Sequence, residues 1–315
     1  MIKSLIAFLI GTAVAISLHG QSSKQMAITI DDLPMAALEQ DDSIRLQMNL
    51  DLLSHLSEYE VPAIGFVNEQ KLYNDDGEII PIRRQMLVAW MEAGLELGNH
   101  TYSHPDYNSL EPEQFFEEIV NGEEITRPLM AKYSRELKYF RHPFLHRGDT
   151  QEKVDALEDF LSEKGYIEAP VTIDNSEWIF ARAYELALQA DDQLMADRIG
   201  NSYIDYMMDK TAFFERNAQA LFDRPISQTL LIHDNFLNAH FLGKLLSALQ
   251  SDGYEFISLA EALEDPAYSS QDKIVTRGGI TWLHRWAVTN GVDKSFFAGE
   301  PSCPQFVQDY AGIVE

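Results

Sequence analysis

Short β-rich runs alternate with longer helical runs along most of this 315-residue chain. Because strands joined by helices run parallel within one sheet, this alternation is typical of α/β folds. We predict seven strands, at residues 26–30, 63–67, 95–98, 138–140, 168–173, 229–232 and 255–257. We predict helices between them at residues 44–59, 82–93, 112–132, 151–163 and 239–250.

One segment is too long for this alternation. Residues 179–222 exceed what a single helical crossover requires, and their apolar side chains recur at helical spacing. We interpret them as extra helices packed on the core, and we favour this over a wall that contacts substrate. No low-complexity linker or internal repeat interrupts the chain earlier, so residues 24–266 are predicted to form one domain.

The end of the chain is predicted to be an extension of that domain. Residues 269–272 are small or polar and are typical of a joint. Trp282 and Trp286 follow at one-turn spacing, so we expect residues 267–315 to contain a helix that docks its tryptophans on the main domain. We interpret the pair Gly278–Gly279 as a turn or a helix entry.

The start of the chain has the three-part pattern of a secretory signal peptide. Lys3 precedes an uncharged, mostly apolar run from Leu5 to Leu18, and small or polar residues follow. The run is shorter than the roughly 20 residues that a membrane span needs. We predict a signal peptide over residues 1–20, a periplasmic or extracellular location, and no stable membrane span.

Charge and cysteine content exclude several classes of function. Lys and Arg total 24 against 50 Asp and Glu, and a formal net charge of −26 repels nucleic acid and other polyanions. The single cysteine, Cys303, excludes an intramolecular disulfide, a cysteine-based zinc finger and a Cys-x-x-Cys pair. Stability must therefore come from core burial, which a chain of this length permits.

Polar clusters follow the predicted strands, where parallel α/β folds bind ligands. Asp31 and Asp32 end the first strand, although an Asp-Asp pair alone is more often a turn or a helix cap. His100 and His104 follow the third strand. Because they are four residues apart, we expect both rings on one face of a helical turn, within reach of one metal ion. Thr101 replaces the glutamate of the His-Glu-x-x-His motif of zinc peptidases, so that class of site is absent.

Three further clusters follow later strands. Arg141 lies beside Pro143, which stiffens its loop, Asp174 lies close to Trp178, and His233 ends the sixth strand. Each cluster alone is more often a salt bridge, a cap or a core histidine. Their shared position after strands predicts one site at the carboxyl edge of the sheet.

These five segments, taken in order from Thr29 to Asp234, resemble the polysaccharide deacetylase (NodB-homology) family, which is carbohydrate esterase family 4. The resemblance covers the body of the mature chain but not residues 179–222 or the extension. It implies a distorted (β/α) barrel of about seven strands. With the helical insertion and the helical tail, this is the fold we expect.

The resemblance also implies residue roles. It assigns Asp32, His100 and His104 to one divalent metal ion, for which this donor set best suits zinc and also accepts cobalt or nickel. It implies the following catalytic and substrate-binding roles: Asp31 as general base, Arg141 as its orienting partner, His233 as general acid, Asp174 as the acid that holds and tunes that histidine, the Phe144 backbone N–H as an oxyanion donor, Trp178 as a pocket wall, and Leu231 as the contact for the acetyl methyl group.

Three positions depart from the family pattern. His142 stands where the family commonly has Pro or another bulky residue, and Phe144 stands where Tyr is frequent. Glu177 precedes Trp178 where Asp is usual. None of these changes removes an implied metal ligand, the base or the acid.

The sequence therefore predicts an exported, metal-dependent carbohydrate deacetylase acting on N-acetyl groups of a glycan, such as peptidoglycan or chitin-like oligomers. An acetyl xylan esterase remains an alternative, because the same site can attack an ester. A catalytically silent carbohydrate-binding relative is another, and a metal amidohydrolase for small molecules is a third. A narrow, closed pocket would favour the amidohydrolase, whereas an open groove would disfavour it.

Overall fold

The computed structural model describes residues 24–39 and 41–315. Within them the strands are β1 (Lys24–Leu33), β2 (Ile64–Val67), β3 (Glu96–Asn99), β4 (Tyr139–Phe140), β5 (Ile167–Glu168), β6 (Gln228–His233) and β7 (Tyr254–Phe256). Each predicted strand therefore overlaps an observed one. The predicted signal peptide, residues 1–20, lies outside the described residues.

All strand pairs of the sheet are parallel. The order is β5-β4-β3-β2-β1-β6, and β7 pairs with the start of β1. β1 pairs with β2, β6 and β7, and residues 26–31 of it are continuously buried, as expected when both faces of a parallel strand are covered. Its register with β6 sets Asp31 directly opposite His233. The sheet thereby fixes which polar residues meet at its carboxyl edge.

The sheet curls toward a barrel. After β5, at one end of the strand order, the chain crosses to β6 at the other end. There Ile173 bridges Leu230 in parallel, and Leu231 N–H donates to the Ile173 carbonyl at 3.2 Å. The predicted strand 168–173 is thus a short β5 followed by this bridge. The parallel α/β architecture with surrounding helices confirms the predicted (β/α)-barrel class.

Helices surround the sheet. Their bounds are α1 (Asp42–Glu58), α2 (Pro81–Glu92), α3 (Pro112–Asn121), α4 (Thr126–Lys132), α5 (Gln151–Lys164), α6 (Glu177–Gln189), α7 (Gln193–Phe222), α8 (Phe236–Ser251), α9 (Leu259–Ala262), α10 (Trp282–Thr289) and α11 (Gln305–Ala311). The single helix predicted at 112–132 is wrong, because α3 ends where Gly122 packs against the Thr101 backbone. The buried Glu69 carboxylate then accepts the N–H groups of Ile125 and Thr126 and caps α4 separately.

The long segment 179–222 forms most of α6 and all of α7. Ile199, Tyr203 and Met207 of α7 are fully buried, which confirms the packing role predicted for this part. In the extension, Trp282 and Trp286 are buried and the Trp282 N–H donates to the Val171 carbonyl at 2.8 Å. The predicted docking of the tail tryptophans is therefore confirmed, while the division at residue 266 stays a prediction.

No helix among residues 24–39 and 41–315 combines the length and apolar character needed to cross a bilayer.

Candidate active site

A cavity of about 1110 Å³ opens at the carboxyl ends of the parallel strands. Nine of the ten predicted site residues line it: Asp31, Asp32, His100, His104, Phe144, Asp174, Trp178, Leu231 and His233. The tenth, Arg141, is fully buried beside Asp31. The polar clusters that follow the strands therefore lie together around one cavity, as expected.

Both aspartates at the end of β1 reach the cavity because the strand is irregular there. Neighbouring side chains of a regular strand point to opposite faces. Between Ile30 and Leu33 the register with β2 shifts, and Asp32 adopts a left-handed φ of 71°. This bulge lets Asp31 and Asp32 face the same space.

Asp32, His100 and His104 form a group able to hold a metal ion. One ligand atom from each lies within 4.8 Å of the others, with the Nε2 atoms of His100 and His104 at 4.0 and 3.9 Å from Asp32 Oδ1. His100 Nδ1 lies 2.8 Å from the Arg141 carbonyl, so it donates there and leaves the Nε2 lone pair directed at the cavity. Two imidazoles and one carboxylate therefore fit a divalent metal in both chemistry and tautomer.

The two histidines do not share a helical turn, and that prediction is wrong. They lie on a loop after β3 in which Thr101 and His104 have left-handed φ angles of 69° and 60°. Asn99 Oδ1 accepts from the Thr101 N–H at 2.7 Å, and Thr101 Oγ1 accepts from the His104 N–H at 3.0 Å. These side-chain bonds compete with helix formation and still bring the rings to 4.8 Å between centroids.

The two aspartates have opposite pKa shifts. Burial raises the pKa of Asp31 to about 6, against the opposing effect of Arg141. Burial would also raise the pKa of Asp32, but Lys71 and the nearby histidines outweigh it and lower that pKa. Asp32 therefore stays ionised as a ligand, whereas Asp31 has the higher proton affinity that suits a base.

Arg141 holds Asp31 from behind. Its Nη1 lies 3.7 Å from Asp31 Oδ2, and its Nη2 donates to Thr29 Oγ1 at 2.9 Å. Among the described residues Asp31 Oδ1 has no hydrogen-bond partner. One oxygen of this buried carboxylate is therefore left available to a bound molecule.

Glu177, not Asp174, holds His233. Glu177 is fully buried at the start of α6, and its Oε2 lies 2.8 Å from His233 Nδ1. Its Oε1 accepts from the side-chain amides of Asn235 and Asn238, so both carboxylate oxygens are fixed. Asp174 instead accepts from the N–H of its own neighbour Asn175 at 2.8 Å. The contact predicted for Asp174 is wrong because the first turn of α6 places the glutamate closer to the end of β6.

His233 keeps a proton in this setting. Burial would lower its pKa, but the hydrogen bond and the charge of Glu177, with Asp32 and Asp31, raise it to about 9. A protonated imidazole facing the cavity suits a general acid.

The polysaccharide deacetylase family model matches residues 19–159, a stretch that contains Asp31, Asp32, His100, His104 and Arg141. This match confirms the predicted resemblance to the polysaccharide deacetylase family. A chitin deacetylase from Colletotrichum lindemuthianum is 27% identical over 246 residues, covering 76% of this chain and 79% of that protein.

Solved structures share the fold of this chain. A polysaccharide deacetylase from Bacillus cereus superposes with a TM-score of 0.51 at 15% identity, over 75% of this chain and 91% of that one. A mutant of a CE4 family pseudoenzyme with restored enzymatic activity superposes with a TM-score of 0.51 at 17% identity, over 77% and 68%. At these identities the likeness concerns the fold alone.

Aromatic and apolar side chains surround the Asp32–His100–His104 cluster. Phe144 is 54% exposed at the mouth, with its ring edge against His104 at 4.5 Å between centroids. Trp178 is 48% exposed on α6, and Leu231 is buried at the base. Exposed aromatic rings beside a polar centre are suited to contact sugar rings.

The insertion also forms part of the cavity wall. α6 packs on the core as predicted, and its Trp178, Ala181, Arg182 and Glu185 also line the cavity. These side chains recur every three or four residues and therefore occupy one face of the helix. The spacing of residues along a helix shows which of them share a face, but it does not show that this face borders a cavity.

Several cavity residues were not predicted. They include Arg45, Lys71, Arg83, Arg182, Glu185 and Gly279. Charged residues on helices are ordinarily solvated, and no motif distinguishes these from others. Gly279, interpreted as a turn, instead lies against the Phe144 carbonyl, where an added Cβ would be 1.8 Å from the oxygen.

Proposed function

We propose that this chain is an exported, metal-dependent deacetylase that hydrolyses N-acetyl groups of a polysaccharide or oligosaccharide. One observation supports this most directly: Asp31 and His233, partners in the β1–β6 register, face the Asp32–His100–His104 group across one cavity. A base with raised proton affinity and a protonated imidazole are the two groups that amide hydrolysis needs. The export rests on the sequence of residues 1–20 alone.

Each side chain has a defined part in the proposed reaction. Asp31 Oδ1 accepts a proton from the attacking water while Arg141 keeps the carboxylate oriented. The water oxygen adds to the acetyl carbon, and the bond from that carbon to nitrogen then breaks. His233 gives its proton to the departing nitrogen, so that acetate and an amine are formed. Glu177 acts as a positioning residue for His233.

A divalent metal ion would supply Lewis acidity at the acetyl group. Asp32, His100 and His104 would hold it, and zinc is the proposed ion, with cobalt or nickel as substitutes. The Phe144 backbone N–H is proposed to donate to the acetyl oxygen, worth about 3 kcal/mol in the transition state. Leu231 is proposed to contact the acetyl methyl group, with Trp178 as the wall beside the sugar.

The size of the cavity favours a glycan over a small molecule. Its volume of about 1110 Å³, near the upper end of the roughly 300–1000 Å³ typical of small-molecule sites, accommodates a sugar unit with room for its neighbours. The similarity to a chitin deacetylase supports an N-acetylated sugar as the unit attacked. The presence of Asp31, the three candidate ligands and His233 argues against a silent binding protein.

Acetate release from a panel of N-acetylated and O-acetylated oligosaccharides, with zinc added, tests the proposal. We expect the wild type to release acetate from N-acetylated members. His100→Ala and Asp31→Asn should both abolish release, but only His100→Ala should lose bound zinc. His55→Ala on α1, outside the cavity, serves as the matched histidine control and should retain both.

Absence of acetate from every N-acetylated member with zinc-loaded wild type would reject the function. Release from O-acetylated members alone would make the chain an esterase. Full zinc content in His100→Ala would show that the ligand assignment is wrong.

A further inference from the structure

The turn that follows β2 leaves the sheet between the two segments that carry candidate metal ligands. β2 lies between β1 and β3, and its last residue pairs with Leu33 of β1 and with Asn99 of β3. Asp32 directly precedes the first of these partners, and His100 directly follows the second. Residues 68–72, which we call the brace, are therefore placed to contact both segments.

Lys71, in the 3-10 turn Glu69–Leu72 of the brace, reaches Asp32. Its Nζ donates to the Asp32 main-chain carbonyl at 2.6 Å and lies 3.6 Å from Asp32 Oδ1. Asp32 has a left-handed φ of 71°, a conformation that costs free energy and persists where neighbouring groups support it. The ammonium therefore contacts the residue whose conformation lets both aspartates face the cavity.

The brace also contacts the segment that carries His100. Asn68 Nδ2 donates to the His100 carbonyl at 2.6 Å, and the Gln70 N–H donates to the Tyr102 carbonyl at 2.9 Å. The Asn68 N–H donates to the Leu33 carbonyl at 3.0 Å, so this residue bonds to both flanking segments. Asn68 is buried, and water is therefore not available to replace these bonds.

The brace is itself anchored on two helices. The buried Glu69 carboxylate accepts the Ile125 and Thr126 N–H groups at the start of α4. Arg83 on α2 donates through Nη1 to the Lys71 carbonyl at 3.0 Å. A backbone fixed at both places presents its donors in a defined position, as support of a functional site requires.

We propose that the brace positions the metal ligands, with Lys71 as positioning residue for Asp32 and Asn68 as positioning residue for His100. The inference rests on the proposed function, because it concerns the same metal group. Neither residue supplies a candidate ligand atom, so each acts through the backbone of a ligand residue. Groups that hold metal ligands in this way typically change metal affinity or activity by about 10–100-fold when they are removed.

The positive charge of Lys71 acts against its positioning role. An ammonium beside Asp32 repels a divalent cation that shares the carboxylate. Because the Lys71 side chain is 31% exposed, water and salt screen this repulsion. We therefore expect the loss of positioning to outweigh the relief of repulsion when Lys71 is replaced, and the sign of the change in zinc affinity distinguishes the two effects.

The zinc Kd of the full chain, measured by competition with a chromophoric chelator, tests the inference without any substrate. We expect Lys71→Met to bind zinc about tenfold more weakly than wild type. Lys71→Arg retains a charged donor and should recover most of this loss. Lys132→Met, at an exposed site on α4 outside the cavity, is the matched control and should bind zinc as wild type does.

The visible spectrum of the cobalt-loaded chain reports ligand geometry, because the absorption bands of cobalt depend on its coordination. We expect the bands to change in Lys71→Met and to remain as in wild type in Lys71→Arg and Lys132→Met. A purely structural role of Lys71 would lower the free energy of unfolding without changing the bands.

Asn68→Ala tests the contact of the brace with His100, and we expect about tenfold weaker zinc binding. Asn108→Ala is the matched control. Asn108 is also buried, its Nδ2 also donates to one main-chain carbonyl, that of Arg277 at 2.9 Å, and it does not line the cavity. We expect it to lower the free energy of unfolding of the metal-free chain to a similar extent, with zinc affinity unchanged.

Wild-type zinc affinity in both Lys71→Met and Asn68→Ala would overturn the inference and leave the proposed function intact. Tighter zinc binding by Lys71→Met would overturn the role of Lys71, because its charge would then dominate. A raised KM for an N-acetylated oligosaccharide at unchanged zinc affinity would show that Lys71 contacts substrate instead. Failure of the wild type to bind zinc would reject the metal site, and with it both the proposed function and the brace. The Lys71 series decides the inference alone if Asn68→Ala misfolds.

Discussion

The strand ends and the C-terminal extension both reach the cavity, but they contribute to it in different ways. Asp31 and His233 are set by strand register, and their functional groups face the cavity directly. The extension, residues 267–315, contributes Gly279, which has no side chain, and otherwise holds other residues in place. The strand ends therefore present the side chains that are proposed to react, whereas the extension supports residues around them.

Part of the extension contacts the loop after β4. Asp272 Oδ2 lies 2.8 Å from Arg147 Nη1, and Arg277 Nη1 lies 3.1 Å from Asp149 Oδ2. Gly279, two residues after Arg277, packs on the Phe144 carbonyl. Because Phe144 has a left-handed φ of 56°, this loop needs such support to keep its backbone N–H in one orientation.

The largest effect we expect on activity distinguishes the role of Glu177 at His233 from that of Asp174. The pKa of His233 is raised to about 9, so activity that needs its proton is retained below that pH and lost above it. Glu177→Gln removes the charge responsible, and burial then lowers that pKa. We expect kcat at pH 8 to fall on the order of 100-fold and the alkaline limb of the pH profile to move to lower pH.

Asp174→Asn is the matched control, because Asp174 makes no hydrogen bond to His233 and instead bonds its neighbour Asn175. We expect its alkaline limb to shift far less. Titration of the His233 ring by NMR gives the pKa of each variant independently of turnover. A larger shift in Asp174→Asn than in Glu177→Gln would restore the role that the sequence resemblance implies for Asp174.

A second buried histidine and glutamate pair shows why proximity alone does not set a pKa. His142 Nε2 lies 2.7 Å from Glu168 Oε1, much like the contact between His233 and Glu177. Burial nevertheless lowers the pKa of His142, because Arg147 and Arg285 add positive charge and oppose Glu168. His233 is instead surrounded by carboxylates, so only it is held protonated.

The sequence predicts the strand-end region well. Strand positions follow from apolar runs, and parallel strands bring their carboxyl ends together, so Asp32, His100 and His104 meet as expected. The bulge at Asp32 and the left-handed loop at His104 were not predicted, because single backbone angles depend on tertiary contacts. The sequence also does not show that Glu177, rather than Asp174, contacts His233. That contact depends on where α6 begins relative to the end of β6.

The part of the cavity lining that comes from helices and from the extension is poorly predicted from sequence, for a physical reason. Gly279 acts through the absence of a side chain, and the basic lining residues come from three helices and a 3-10 turn that are distant in the chain. No spacing rule links Arg45 to Arg182. Only the packing of α1, α2 and α6 around the cavity brings both residues to it.

A smaller effect tests the extension itself. In Gly279→Ala the new Cβ would be 1.8 Å from the Phe144 oxygen, so the loop must shift. We expect kcat to fall about tenfold with zinc content unchanged, and the free energy of unfolding to fall by about 1–3 kcal/mol. Acetate release kinetics and denaturant unfolding measure the two effects separately.

Gly278→Ala is the matched control for this variant. Its Cβ would have Thr276 Oγ1 as nearest atom at 3.8 Å, and neither glycine has a left-handed φ. We expect wild-type kinetics and stability. Equal losses in both variants would mean that the extension tolerates no added side chain anywhere in this turn, and a wild-type Gly279→Ala would remove its positioning role.

The smallest effect concerns Glu315, which links the extension to the start of α6. Its carboxylate accepts from Ser176 Oγ and from the Cys303 N–H, and Ser176 directly precedes Glu177. Glu315→Gln retains one acceptor but replaces the other with a donor, which costs about 1–3 kcal/mol of stability. Because Glu177 keeps its own bonds to Asn235 and Asn238, we expect kcat to fall only a few-fold, with the alkaline limb of the pH profile unmoved.

A shifted alkaline limb in Glu315→Gln would show that the extension influences the pKa of His233 as well as the position of the loop after β4. The distinction between a region that reacts and a region that positions would then fail.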